Sequence, residues 1–180
     1  MLTITIPGGE LFNDKTQEFI TVKDQTLQLE HSLVSLSKWE SKWQKSFLHT
    51  REKTVEETID YIKCMTITQN VDPLVYSKLT TSNIDQINNY IASPMTATTF
   101  TKQENTTKSR EIITAELIYY WMIALNIPME CQKWHLNRLL TLIRVCNIKN
   151  TPPKKMNRRE IMSRNAALNA ARRKQLNSKG

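Results

Sequence analysis

Apolar and polar residues alternate along the first thirty positions. In LTITI, Leu2, Ile4 and Ile6 share one face of a strand, and the same period of two returns in EFITV and TLQLEH around the turn residues of FNDKTQ. The pattern predicts a small β-meander over residues 1–31. At Ser32 the period becomes helical: Leu33, Leu36, Trp39 and Trp43 fall on one face, with Lys and Glu between them. Spacing by four predicts that both tryptophans pack into the core; an exposed tryptophan would instead suit an interface.

TVEE at Thr54–Glu57 has the form of a capping box, and a helix should run from it to about Met65. In VDPLVYSKL, Asp72 can cap a short helix with Pro73 at its first position. SNIDQINNYI predicts another, with Ile84, Ile87 and Ile91 on one face. SPMTATTF reads as an extended edge strand and TKQENTTKS as a mobile loop. The two strongest helical patterns follow, Ser109–Leu125 and Pro128 to about Asn147. Only NI separates them, which predicts a hairpin with the second helix central. NTPPKK stops that helix. NRRE at Asn157–Glu160 again has the form of a capping box, opening a last helix whose large apolar residues, Ile161, Met162, Leu168 and Leu176, are too few for a core.

These elements make an α+β chain, mainly α. An N-terminal β-meander packs on a helical domain over residues 1–150, followed by a basic helical arm over 151–180. A length of 180 residues suits one domain and an arm. Cys64, Cys131 and Cys146, odd in number and far apart, predict reduced thiols rather than a disulfide framework. MLTITIPGGE lacks the features of a secretory signal, so the chain is expected to stay inside the cell that makes it. The longest apolar run, Leu117–Leu125, is nine residues, roughly half of a membrane span. It predicts core and no membrane partner.

Charge changes the picture. From Thr151 onward there are nine basic residues and one acidic, whereas Met1–Asn150 carries sixteen of each. The whole net charge of +8 therefore sits in the arm. Chemistry is harder to find. The glycines form no phosphate loop, since Gly8 and Gly9 fall in a turn between strands and Gly180 ends the chain. Cys131 and His135, four apart, lack a second pair of metal ligands and a third group for nucleophilic catalysis. Glu56 and Glu57 belong to a helix dipole, and His31 and His49 read as surface or boundary residues. No catalytic, metal or cofactor site is expected.

Three readings of the arm compete. It can be a solvated tail, or bind nucleic acid through its Lys and Arg side chains, or dock as a helix on another protein. It has no Phe, Tyr, Trp or His, so base stacking is missing and the nucleic-acid reading is limited to phosphate contacts. The docking reading uses a thin stripe of Ile161 and Leu168 flanked by Lys154, Lys155, Arg158, Arg159, Arg164, Arg172, Arg173 and Lys174.

TLQLEHSLVSLSKWESKW, REIITAELIYYWMIALNIPMECQKWHLNRLLTLI and REIMSRNAALNAARRKQLNSKG together resemble proteins of the tail modules of long-tailed bacteriophages, above all the tail assembly chaperones. The likeness covers most of the chain. It implies a small, largely helical, non-enzymatic protein of the host cell cytoplasm. Such a protein coats the tape measure protein, recruits tail tube protein and leaves before the tail is finished. Many members are made in two forms by ribosomal frameshifting, and this chain would be the short one. The N-terminal strands are less expected in a purely helical chaperone. They keep open a permanent tail or baseplate-associated part. A scaffold coating a long protein would gain from self-association.

Overall fold

The computed structural model describes residues 1–13, 18–100, 111–151 and 157–177. The chain divides into two compact units, Met1–Asn147 and Ile148–Gly180. The first is α+β and mainly helical, with its strands packed on helices.

The strands are β1 (Leu2–Ile6), β2 (Gly9–Asn13), β3 (Glu18–Val22) and β4 (Gln25–Leu29). They do not pair in the sequential order of a meander: β1 pairs with β4 and β2 with β3, both antiparallel. One register runs through both ladders, since Ile6 faces Gln25 and, three residues on, Gly9 faces Val22. The strands are therefore a single ribbon interrupted at Pro7–Gly8. Pro7 has no N–H to give to the ladder, and the Gly8 N–H donates instead to Asp24 Oδ1 at 2.6 Å. A Cβ on Gly8 would lie 2.5 Å from the Val22 carbonyl oxygen, and Gly9 has φ +142°, so both positions need glycine. These glycines mark a break in the ribbon rather than the tip of a turn. Most of the turn read in FNDKTQ lies outside the described residues.

Ile4, Ile6, Leu27 and Leu29 turn one face of the ribbon into the core. The far edge of β4 is covered by the chain after the second helix. Glu30 N–H donates to the Met65 carbonyl at 2.9 Å, and Ile67 N–H to that of Gln28 at 2.8 Å.

The first helix, α1 (Leu33–Trp43), starts at a capping box made by Ser32 and Ser35. Leu33, Leu36 and Trp39 are fully buried, while Trp43 is half-buried at the rim. α1 is the central helix, packing against α2 (Val55–Met65) and α4 (Ala115–Ala124). The predicted Thr54–Glu57 box opens α2: Glu57 N–H donates to Thr54 Oγ1 at 3.2 Å and Thr54 N–H to Glu57 Oε2 at 2.9 Å. Asp72 caps a short 3-10 helix, Pro73–Lys78, which stops because Thr80 already caps the next helix, α3 (Thr81–Ala92).

Three expectations change. Residues 93–100 form no strand, for Met95 takes φ +49° and breaks the extension, while Asn137 Nδ2 holds the Ile91 and Ser93 carbonyls at 2.9 and 2.8 Å. The loop read in TKQENTTKS falls outside the described residues, as does Ser109; the first helix of the predicted hairpin begins at Ala115, capped by Thr114. The second is split. A 3-10 turn, Met129–Lys133, is followed by extended backbone at Trp134, and His135 bridges to Ser32 before α5 (Leu136–Asn150) starts. α5 is not central: Leu136, Leu139 and Ile143 are buried, but Leu140, Leu142, Val145 and Cys146 are half-buried. Its near-uniform apolarity concealed that only one stripe reaches the core.

Candidate functional site

The second unit contains α6 (Arg158–Leu176), a helix of 19 residues. Its alanines and unbranched side chains favour helix intrinsically, and Arg173 and Lys174 in the last turn complement the negative end of its dipole. Every described side chain on it is exposed; Ile161 and Leu168 are 45% and 46% exposed. Those two residues are seven apart, two helical turns, and so share a face. Arg164 lies between them along that face, three residues after Ile161 and four before Leu168, and Arg172 extends it four residues beyond Leu168. Arg158, Arg159, Arg173 and Lys174 are distributed around the remaining surface. The helix thus presents a short apolar stripe set among cations on all sides. Lys154 and Lys155, and the side chain of Glu160 in the expected cap, lie outside what the structure describes.

A second surface was missed by the sequence reading. The run Leu117–Leu125 was expected to be core, and Ala115, Ile118 and Met122 of α4 are indeed buried. Tyr120 and Ile123, on the opposite side of the same helix, are 63% and 67% exposed. The available signal was apolarity all round a short helix, since a helix at the edge of a small domain can bury one stripe only.

The core holds a polar cluster. The His31 and His135 rings meet edge-on with centroids 5.1 Å apart. His31 Nδ1 and the Tyr61 hydroxyl share a hydrogen bond of 2.5 Å. His135 Nε2–H donates to the Tyr90 carbonyl at 3.0 Å while its Nδ1 accepts the Asn137 N–H at 3.3 Å, an arrangement that fixes the neutral tautomer. The Tyr90 hydroxyl donates to Glu30 Oε1 at 2.7 Å. Burial, reinforced by the neighbouring His135, lowers His31 to about 3. Burial also lowers His135, against the opposing pull of the Tyr90 carbonyl and Glu30. Such a ring stays neutral at ordinary pH and is poorly matched to proton transfer. His31 is therefore a buried structural residue, not the surface or boundary residue expected, whereas His49 is exposed. Cys131 is buried in the 3-10 turn before His135. Among the described residues no three His, Cys, Asp or Glu side chains converge on a point where a metal ion would sit. Nor is any described helix long and apolar enough to cross a membrane.

Compared with known proteins, the chain matches no family model, no curated protein and no solved structure.

Proposed function

We propose that this chain is a non-enzymatic assembly factor that works by binding protein, as a phage tail assembly chaperone in the host cytoplasm. In that role it holds the tape measure protein and helps bring in tail tube subunits. The observation that supports the reading best is α6: a helix of 19 residues with all its described side chains exposed, an Ile161–Leu168 stripe and surrounding cations. A thin stripe of this kind gains area only by lying on another apolar surface, and the cations favour partners rich in carboxylates. The exposed Tyr120 and Ile123 of α4 supply a second apolar contact, which suits a scaffold that repeats along a long partner or self-associates.

The test is co-expression with the tape measure protein of the same genome, followed by size-exclusion chromatography. Full-length chain should keep that protein soluble and co-elute with it, and the Ile161→Asp, Leu168→Asp double variant should lose the complex. If the full chain and the tape measure protein never associate, the chaperone reading fails. Finding the chain in purified virions would then support a permanent tail component. Raising salt separates the nucleic-acid reading: phosphate binding falls steeply with ionic strength, while docking through an apolar stripe persists.

A further inference from the structure

Within the first unit, a groove lies between α2 and α3. These helices carry matching apolar stripes, Val55, Ile59 and Ile62 on one and Ile84, Ile87 and Ile91 on the other. Spacing of this kind commonly draws two helices together, and Ile62 of α2 and Ile87 of α3 are both buried in the core. Two cavities lie in the groove between them, of about 220 Å³ and about 330 Å³. They adjoin, for both are lined by Lys53, Thr58 and Ile84. Ile62, Ile87 and Ile91 wall the first, and Ile59 and Leu79 the second. Together they reach the size of roughly 300–1,000 Å³ common for small-molecule sites, which are mainly apolar with a few placed polar groups.

Lys53 is the polar group that matters. Its Nζ donates to the Thr50 carbonyl at 2.8 Å and lies 4.1 Å from the centre of the Phe47 ring. Among the described residues it forms no ion pair. Its acidic neighbour Glu57 is already engaged, by Lys45 at 2.6 Å and by the Thr54 N–H at 2.9 Å. Partial burial lowers the Lys53 pKa, opposed by Glu57. The ammonium is thus partly stripped of water and has hydrogen-bonding capacity left over. Among the described residues no second cation lines either cavity. The groove therefore fits one negative charge joined to an apolar body, and it suits neither a neutral hydrocarbon nor a multiply charged phosphate.

We propose that this groove binds an apolar monocarboxylate, with the alkyl chain lying past Ile84 through both cavities and the carboxylate paired with Lys53. The site is distinct from the arm and does not depend on which partner the arm takes.

The probes are decanoate and 1-decanol, titrated below micellar concentration into isotopically labelled full-length chain at pH 7 and followed by NMR. Decanoate should shift Thr58, Ile84, Ile87 and Asn88, and bind at least about tenfold tighter than decanol, the scale of a charge-assisted hydrogen bond. Lys53→Met should remove that preference and Lys53→Arg should keep it. Ile84→Trp, which fills the shared wall, should block both ligands, with the unperturbed parts of each spectrum showing that the variants fold. The proposal is overturned if decanoate causes no shifts at millimolar concentration. It is equally overturned if shifts centre on Tyr120 and Ile123, if decanol binds as well as decanoate, or if Lys53→Met leaves the preference intact.

Discussion

Glu40 is buried, and its carboxylate joins two distant pieces of backbone. Oε1 accepts the Phe47 N–H at 2.8 Å and Oε2 the Ala115 N–H at 2.7 Å. Ala115 is the first residue of α4, so the anion also meets the positive end of a helix dipole. Glu40→Ala would orphan both N–H groups, and it is expected to lower unfolding free energy by about 3 kcal/mol in urea titrations. Glu40→Gln, keeping one acceptor, should cost less. His31 sets a pH dependence with a definite sign. The fold keeps it neutral down to about pH 3, whereas an unfolded chain takes up its proton near 6.5. Above 6.5 both states are neutral and the contribution is fully present. Between 6.5 and 3 the unfolded state binds more protons, so stability falls as pH falls, by about 2 kcal/mol at pH 5. His31→Gln should flatten the change in urea midpoint between pH 7 and pH 5, leaving the slope due to His135.

Elements set by local chemistry were legible before the structure. Thr54 and Glu57 announce the start of α2, and Thr54→Ala should cost about 1 kcal/mol, readable by thermal unfolding. The helical arm and the mainly helical α+β class also follow from period and composition. What could not be read is where backbone partners lie far away in sequence. Alternation shows that residues 2–6 and 25–29 are strands, but a period of two does not say which neighbours which; the nested pairing depends on Pro7, Gly8 and Asp24 acting together. The break before α5 arises because the Leu136 N–H donates to the His31 carbonyl at 2.7 Å, and nothing local to PMECQKWHL announces that. Likewise the Lys53 groove depends on how α2 and α3 are set against each other, a matter of packing and not of pattern. Gly8→Ala tests the ribbon: its Cβ would press on the Val22 carbonyl, so amide exchange in β1 and β4 should accelerate and stability should fall by roughly 1–3 kcal/mol.

At the scale of the molecule, the two units divide labour between folding and contact. The buried residues of the core belong to Met1–Asn147, and the described side chains of α6 are exposed. The Ile161→Asp, Leu168→Asp variant should therefore unfold within about 0.5 kcal/mol of the parent, as surface substitutions do, even where it abolishes a complex. A peptide spanning residues 157–177 should be only partly helical by circular dichroism, because helices near this length are marginal alone. The ribbon carries a further consequence, for synthesis. Its ladders lie within the first twenty-nine residues and can zip while the chain is still emerging from the ribosome. Leu29 gains its partner across the far edge of β4 only with Thr66. At about 5–20 residues per second, that leaves an apolar strand face and an open edge waiting for about two to seven seconds. The nascent protein is most open to misassociation in that interval, so slowing translation between codons 30 and 66 should lower soluble yield more than slowing it later.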